Sequence, residues 1–240
     1  MVTFSRGGKM EITEDKSIAF QSLEKKIQKS IDVILETEKR FGREGIALTW
    51  TGGKDSTTLL HLVKNAYNGT IPFRVFNIDT SVKFKEIYEF RDRLSKEWNI
   101  NLIILRHPNP QEVIKTAKDH AECCFLLKTQ VLEKGVKEYS VKALLTAIRW
   151  DEHPARAEEK YFSQRENHLR VNPILHFMER DIWEYIKKND VPYCELYKKG
   201  YRSLGCEPCT SIMSESGPER GGRALDKEEI MERLRELGYF

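Results

Sequence analysis

Apolar positions recur at helical spacing near the start of the chain and in short dense runs further on. Leu23, Ile27, Ile31 and Ile34 fall three or four positions apart, so residues from about Ser17 to Phe41 are predicted to form a leading amphipathic helix. The runs Gly45 to Trp50, Phe73 to Ile78, Asn101 to Leu105 and Ala143 to Ile148 are short, apolar and bounded by turn residues, as buried strands are. Between them lie stretches of helical period: from a glycine loop to about Tyr67, from about Phe84 to Trp98, and from about Gln111 to Gly135. Strand and helix alternate, which predicts an α/β fold with a doubly wound, mostly parallel sheet and helices on both faces. Ligands in such sheets sit at the carboxyl ends of strands. Three polar clusters begin where a predicted strand stops: Thr51 to Lys54, Asp79-Thr80, and Arg149 to Arg156.

The first of these junctions carries the most chemistry. Leu48-Thr49-Trp50-Thr51-Gly52-Gly53-Lys54-Asp55-Ser56 passes from a strand through two glycines straight into a helix. Paired glycines let the backbone approach an anion without Cβ atoms in the way, and the helix aims its free N–H groups and positive dipole end at the same point. Lys54 adds a charge, while Thr51, Ser56 and Thr57 add hydroxyls, so the loop suits a triphosphate. The spacing from glycine to lysine is too short for a GxxxxGK[ST] loop. An ordinary helix-cap role for Asp55 or Ser56 is the plainer alternative. The segment resembles the pyrophosphate-binding PP-loop of the ATP pyrophosphatase superfamily, written SGGKDS, with Thr51 in place of the first serine. That resemblance implies an adenine nucleotide α-hydrolase-like fold and an enzyme that splits ATP between its α and β phosphates, passing AMP to an acceptor. Thr51, Gly52, Gly53, Lys54, Asp55 and Ser56 are the implied nucleotide contacts.

Two further stretches narrow the resemblance. Ile78-Asp79-Thr80-Ser81-Val82-Lys83-Phe84, followed by Tyr88-Glu89-Phe90-Arg91-Asp92, is similar to the V-D-T-G-x-x-F-x-E-x-Y-E-F-R-D stretch of the PAPS reductase and sulfate adenylyltransferase small-subunit family, with Ser81 for the usual glycine. Asp79 and Thr80 are therefore candidate nucleotide contacts, although an acid at a strand end is also an ordinary helix cap. Thr146-Ala147-Ile148-Arg149-Trp150-Asp151-Glu152-His153-Pro154-Ala155-Arg156-Ala157 resembles the family loop T-G-x-R-R-D-x-S-P-x-R-A, with Trp150 for the second arginine. Arg149 and Arg156 can each offer a bidentate fork to an oxyanion; surface ion pairing is the alternative. His153 reads as a loop residue. Val171-Asn172-Pro173-Ile174-Leu175 and Glu179 to Ile186 match a further family segment whose apolar positions read as core packing.

Five cysteines, an odd number, argue against a disulfide framework and for free thiols or metal ligands. Cys123 and Cys124 are adjacent, and Cys206-Glu207-Pro208-Cys209 forms a CxxC pair far downstream. Four thiolates suit an iron–sulfur cluster or zinc, and small buried apolar residues are the alternative. The same arrangement in the adenylylsulfate reductases of this family implies a [4Fe-4S] cluster on Cys123, Cys124, Cys206 and Cys209, with Zn²⁺ as the other metal. Cys194 does not fit the pattern and reads as structural. The reductases lack the loop lysine and carry a nucleophilic cysteine in their tail, whereas this chain keeps Lys54 and has no cysteine after Cys209. Its Glu219-Arg220-Gly221-Gly222-Arg223 and terminal Gly238-Tyr239-Phe240 instead resemble the tail of sulfate adenylyltransferase small subunits.

Composition sets outer bounds. At 240 residues, 40% hydrophobic and 32% charged, the chain is long enough for a sizeable core and unlike a disordered segment. A net charge of +3 leaves nucleic acid possible without indicating it. No apolar run is long enough to span a membrane and nothing resembles a signal peptide, so a cytoplasmic protein is expected. Residues 1–44 are expected to form an N-terminal helical segment, 45–200 the nucleotide-binding domain, and 201–240 a CxxC-bearing tail packed on it. The combined expectation is an adenylyltransferase of sulfur metabolism using ATP and Mg²⁺. In it Lys54 and Asp55 act on the leaving pyrophosphate and its metal, while Arg149 and Arg156 orient an acceptor such as sulfate. The resemblance implies a separate GTPase large subunit or a sulfur-transfer partner. Other readings are ATP-dependent thiolation of tRNA or DNA, an APS or PAPS reductase, and a nucleotide-sensing iron–sulfur protein without catalysis.

Overall fold

The computed structural model describes residues 14–213 and 217–239, together with the backbone of two short antiparallel strands, β1 (Thr3–Phe4) and β2 (Met10–Glu11). The leading helix divides in two. Asp15 caps a single 3₁₀ turn at Lys16–Phe20, and α1 (Leu23–Phe41) starts afresh after Ser22, whose extended backbone and hydroxyl cap the helix at Lys25 N–H. An apolar period cannot reveal such a restart, because both pieces share the same face. Next come β3 (Ile46–Thr49), α2 (Lys54–Ala66), β4 (Arg74–Asp79), α3 (Lys85–Glu97) and β5 (Leu102–Arg106), each within a residue or two of the predicted spans.

The predicted helix over Gln111–Gly135 is interrupted. It resolves into α4 (Pro110–Thr116), α5 (His120–Cys124), a π-helical turn (Phe125–Thr129) and α6 (Gln130–Glu138). Asp119 forces the first break by turning its carboxylate onto Glu122 N–H at 2.8 Å. The π turn then inserts one extra residue per turn directly after the Cys123-Cys124 pair, a distortion that often marks functional sites. Strand β6 (Ala143–Leu145) follows, then a hairpin of β7 (Phe162–Gln164) and β8 (Leu169–Val171), helix α7 (Glu179–Lys188), and the short tail helices α8 (Leu225–Glu229) and α9 (Met231–Glu236).

Six strands form one sheet in the order β5-β4-β3-β6-β8-β7, all parallel except the edge strand β7. The chain begins at the centre with β3, steps outward through β4 and β5, then returns to the far side of β3 as β6. Strand order therefore reverses between β3 and β6, which opens a crevice at their carboxyl ends. Alternation along β3 supplies both layers of the core. Ile46 and Leu48 pack with α1 and α2 residues such as Val33 and Leu59, while Ala47 faces Phe76, Leu144 and Val136 on the opposite side. Lys26 of α1 is buried and paired with Asp181 of α7 at 2.5 Å, tying the leading helix to the far end of the domain. Met231 and Leu234 of α9 belong to the larger core cluster, so the tail is packed on the same body. No helix among the described residues is long and apolar enough to cross a membrane.

Candidate functional site

The crevice holds a cavity of about 240 Å³ floored by the glycine loop. Gly52 has φ +84°, a left-handed conformation that side chains rarely adopt, and a Cβ there would press on Ile87 at 3.1 Å. The loop is knitted internally. Trp50 Nε1 donates to Thr57 Oγ1 at 3.0 Å, Thr57 and Ser56 hydroxyls donate to Gly53 O at 2.9 and 3.1 Å, and Ser56 Oγ lies 3.1 Å from Thr51 Oγ1. Thr51, Gly53, Lys54, Asp55 and Ser56 line the cavity. One helix-terminal amide is already engaged: Lys54 N–H donates to the buried hydroxyl of Tyr197 at 2.8 Å.

Lys54 and Arg149 meet through shared carboxylates. The Lys54 ammonium contacts Glu219 Oε1 and lies 3.3 Å from Asp55. Arg149 is fully buried and pairs with Glu219 Oε2 at 2.5 Å, Asp55 at 2.7 Å and Asp151 at 2.6 Å. Burial pulls the Lys54 ammonium down, but Asp55, Tyr197 and Glu219 outweigh it and hold the group above the ordinary lysine range. Burial likewise opposes charge on Arg149, and the surrounding carboxylates overcome it. Glu219 feels burial most strongly and is pushed above the usual carboxylate value despite Lys54.

Arg156 belongs to a neighbouring network. It pairs with Glu152, which also takes Arg220 at 2.9 Å, and Arg220 forks onto Glu228 at 2.7 Å. Burial works against the Glu152 charge, yet Arg156 and Arg220 hold its carboxyl well below the ordinary range. Arg149 and Arg156 thus pair with different carboxylates, although Glu152 also acts electrostatically on Arg149. His153 caps the turn before Arg156 by accepting Ala155 N–H, a loop role.

Asp79 is not among the residues that line the cavity. Its carboxylate takes the Arg106 guanidinium, Tyr88 hydroxyl at 2.9 Å and Ser81 N–H at 2.8 Å. Those contacts override burial and keep it below its usual value. Ser81 adopts φ +63°, the left-handed backbone that glycine would take there. Thr80 does line the cavity, and its hydroxyl lies 3.2 Å from Cys206 Sγ.

The tail brings the cysteine pairs to the same region. A bridge between Lys83 and Cys206, with Glu207 N–H on Val82 O at 2.8 Å, fixes the CxxC turn beside β4. Cys124 and Cys206 are buried, Cys123 and Cys209 half-buried, and all four thiols are unbridged. Burial raises Cys206, but Lys128, the Thr80 hydroxyl, Lys227 and Lys83 bring it down to about 7. Burial pushes Cys123 up to about 11, with the Cys124 charge adding to it. Among the described residues, no three His, Cys, Asp or Glu side chains are grouped so as to hold a metal ion. Cys194 is fully buried in the core and is not among the residues that line the cavity.

Glu219, Tyr197, Lys83, Lys128 and Tyr239 are not among the candidate site residues read from the sequence, although Glu219, Lys83 and Tyr239 fall in segments that resemble the family. Tyr239 accepts from Lys227 at 3.2 Å and Lys128 at 3.4 Å, and these ammoniums outweigh burial to bring its phenol down to about 7. Glu219 had one usable signal, an acid opening the arginine-rich tail; Tyr197 had none.

Comparison with known proteins gives one family and a consistent fold. Residues 45–212 match the phosphoadenosine phosphosulfate reductase domain family. The chain is 27% identical to sulfate adenylyltransferase subunit 2 of Zymomonas mobilis, over 88% of this chain and 95% of that one. It is 26% identical to the protein of the same name from Pseudoalteromonas translucida, over 93% and 100%. Among solved structures, phosphoadenylyl-sulfate reductase from Candida auris superposes with TM-score 0.62 at 19% identity, covering 86% of this chain and all of that one. FMN adenylyltransferase from Candida glabrata, in complex with FAD and pyrophosphate, gives 0.65 at 20%, covering 94% and 85%. Both share the parallel-sheet α/β fold described above.

Proposed function

Because this chain belongs to the phosphoadenosine phosphosulfate reductase domain family, we propose that it is a nucleotidyltransferase of sulfur metabolism that cleaves ATP between the α and β phosphates. Sulfate is the acceptor this reading favours, with adenylylsulfate as product. The observation that carries it is the meeting of Lys54 and Arg149 at the amino end of α2, at the point where strand order reverses. Two cations at a helix N-terminus stabilise charge developing on departing phosphates, and positioning supplies the remaining catalysis. Thr51 and Ser56 hydroxyls orient the phosphate chain, and Asp55 would hold Mg²⁺ arriving with ATP, which supplies Lewis-acid neutralisation of the triphosphate. Arg156, lining the cavity beside Glu152, is assigned to the acceptor. Asp79 supports Thr80 and the turn and makes no contact with nucleotide.

Relatives whose names designate a second subunit support a large-subunit partner. The resemblance to adenylylsulfate reductases supports Cys123, Cys124, Cys206 and Cys209 as ligands of an iron–sulfur or zinc centre; all four thiols are free, but among the described residues no three of them are grouped closely enough to hold a metal ion as they stand. No step of the transfer is assigned to it. ATP-dependent thiolation of tRNA or DNA is a second reading, favoured by the Cys206 thiol in the cavity wall. Pyrophosphate release from ATP, measured with sulfate, tRNA and DNA offered separately, tests both. Stimulation by sulfate alone supports the first; stimulation by a nucleic acid alone replaces it with the second.

A further inference from the structure

Glu219 makes with one carboxylate the two contacts that a bound phosphate group would make. Its oxygens divide between the Lys54 ammonium and the Arg149 guanidinium, both at most 1% exposed, and its own side chain is 9% exposed. Around those two cations stand three acids, Asp55, Asp151 and Glu219. Two positive against three negative groups leaves the site one charge negative, so an incoming pyrophosphate group meets occupied donors and repulsion. With Glu219 withdrawn the same groups balance.

Building on the nucleotidyltransferase reading, we infer that Glu219 is a specificity-determining residue, an internal competitor that only a phosphate-bearing ligand displaces from Lys54 and Arg149. Its main chain has a fixed neighbour, because Arg220 is anchored by Glu152 and Glu228. Displacement is therefore a swing of the Glu219 side chain, and the tail need not unfold. A nucleoside brings no anion and leaves the contact intact. A pyrophosphate group brings more charge than the carboxylate and spans both cations, so it replaces Glu219 and draws Lys54 into the leaving-group site. The carboxylate closes the loop against weakly charged ligands and keeps two buried cations paired when the site holds none.

Isothermal titration of the intact chain with inorganic pyrophosphate, a non-hydrolysable ATP analogue and adenosine tests this. Loss of one charge-assisted competitor in Glu219→Gln should tighten pyrophosphate and the analogue by about tenfold or more, with adenosine unchanged as the control for an intact pocket. Unchanged or weaker pyrophosphate binding in the variant, with the wild type binding normally, overturns the proposal and leaves the nucleotide reading standing. A wild type that binds neither pyrophosphate nor the analogue overturns both. Should Glu219→Gln fail to fold, Glu219→Asp keeps the charge but is one methylene too short to span both cations. A smaller tightening is then expected, and none refutes the inference.

Discussion

Replacing Lys54 with methionine keeps the unbranched stem, one atom shorter, and removes its charge. Lys54 is 1% exposed and faces Glu219 and Asp55, so the substitution acts on catalysis and stability through the same contacts. Loss of one preorganised cation at a site of developing charge costs about 10²–10³ in kcat. For stability, stranding a buried charge altogether costs about 3–5 kcal/mol. Glu219 is not stranded, because Arg149 still holds its second oxygen at 2.5 Å, so the expected cost is about 1–3 kcal/mol, that of one charge-assisted contact. Burial already raises the Glu219 pKa with Lys54 present, and losing Lys54 raises it further. The folded-state pKa then lies above the unfolded value, so the native variant takes up a proton that the unfolded chain does not. Its deficit relative to wild type is greatest above the variant's folded pKa and shrinks as pH falls through that value toward the lower folded pKa of the wild type, by at most ~1.4 kcal/mol per pH unit. Urea unfolding at several pH values and a pyrophosphate-release assay read both effects. An unchanged rate of pyrophosphate release would remove Lys54 from the leaving-group site, and a pH-independent deficit would refute the Glu219 linkage.

Other outcomes follow from the same geometry. Asp79→Asn should lower stability at neutral pH by about 1–3 kcal/mol through its Arg106, Tyr88 and Ser81 contacts; because the folded pKa is depressed, the wild-type advantage is full above about pH 4 and disappears as pH falls through the folded value. If the nucleotide reached Asp79, binding of an ATP analogue would fall far more than stability. Chain purified without oxygen should carry about four irons and absorb in the visible; one colourless zinc per chain would show the other metal. Cys194 is buried and is not among the residues that line the cavity, so Cys194→Ser should leave pyrophosphate release unchanged and the wild type should release no sulfite from adenylylsulfate with thioredoxin. Sulfite turnover lost in that variant would make the chain a reductase.

The central strands were legible because they are buried on both faces. Ile46, Ala47 and Leu48 are all fully covered, so the sequence shows an unbroken apolar run where a one-sided strand would alternate. The β7–β8 hairpin escaped because each strand has only three residues and Ser163, Gln164 and Arg165 interrupt any pattern. The breaks in the fourth helical stretch came from a side chain bonding to backbone at Asp119 and from a π turn, neither of which alters apolar spacing much. At the site, the glycine loop announced Lys54 and Asp55, and the loop after β6 announced Arg149. The partner of Asp79 depended on register instead: Arg106 lies directly opposite it on β5, a pairing made only when the sheet assembles.

Several residues that shape this cavity lie in the tail, beyond the stretch that the family domain covers. The match ends at residue 212, whereas Glu219, Arg220, Arg223 and Tyr239 all follow it. Arg220, Arg223 and Tyr239 line the cavity, and Glu219 pairs with Lys54, which also lines it, and with the buried Arg149. The tail is held in place by Met231 and Leu234 in the main core and by the Arg220 fork onto Glu228. The parallel sheet, which here carries a glycine loop at its reversal point, is shared with the Candida proteins, and the proposed nucleotide site rests on it. It does not select an acceptor. On the proposed nucleotidyltransferase reading, that selection would fall to the side chains the tail places in the cavity wall, Arg220, Arg223 and Tyr239. Exchanging residues 217–239 for those of a relative with a different acceptor should therefore shift which anion stimulates pyrophosphate release while leaving ATP-analogue binding in place. A chimera that keeps its original acceptor would return the choice to the loop after β6.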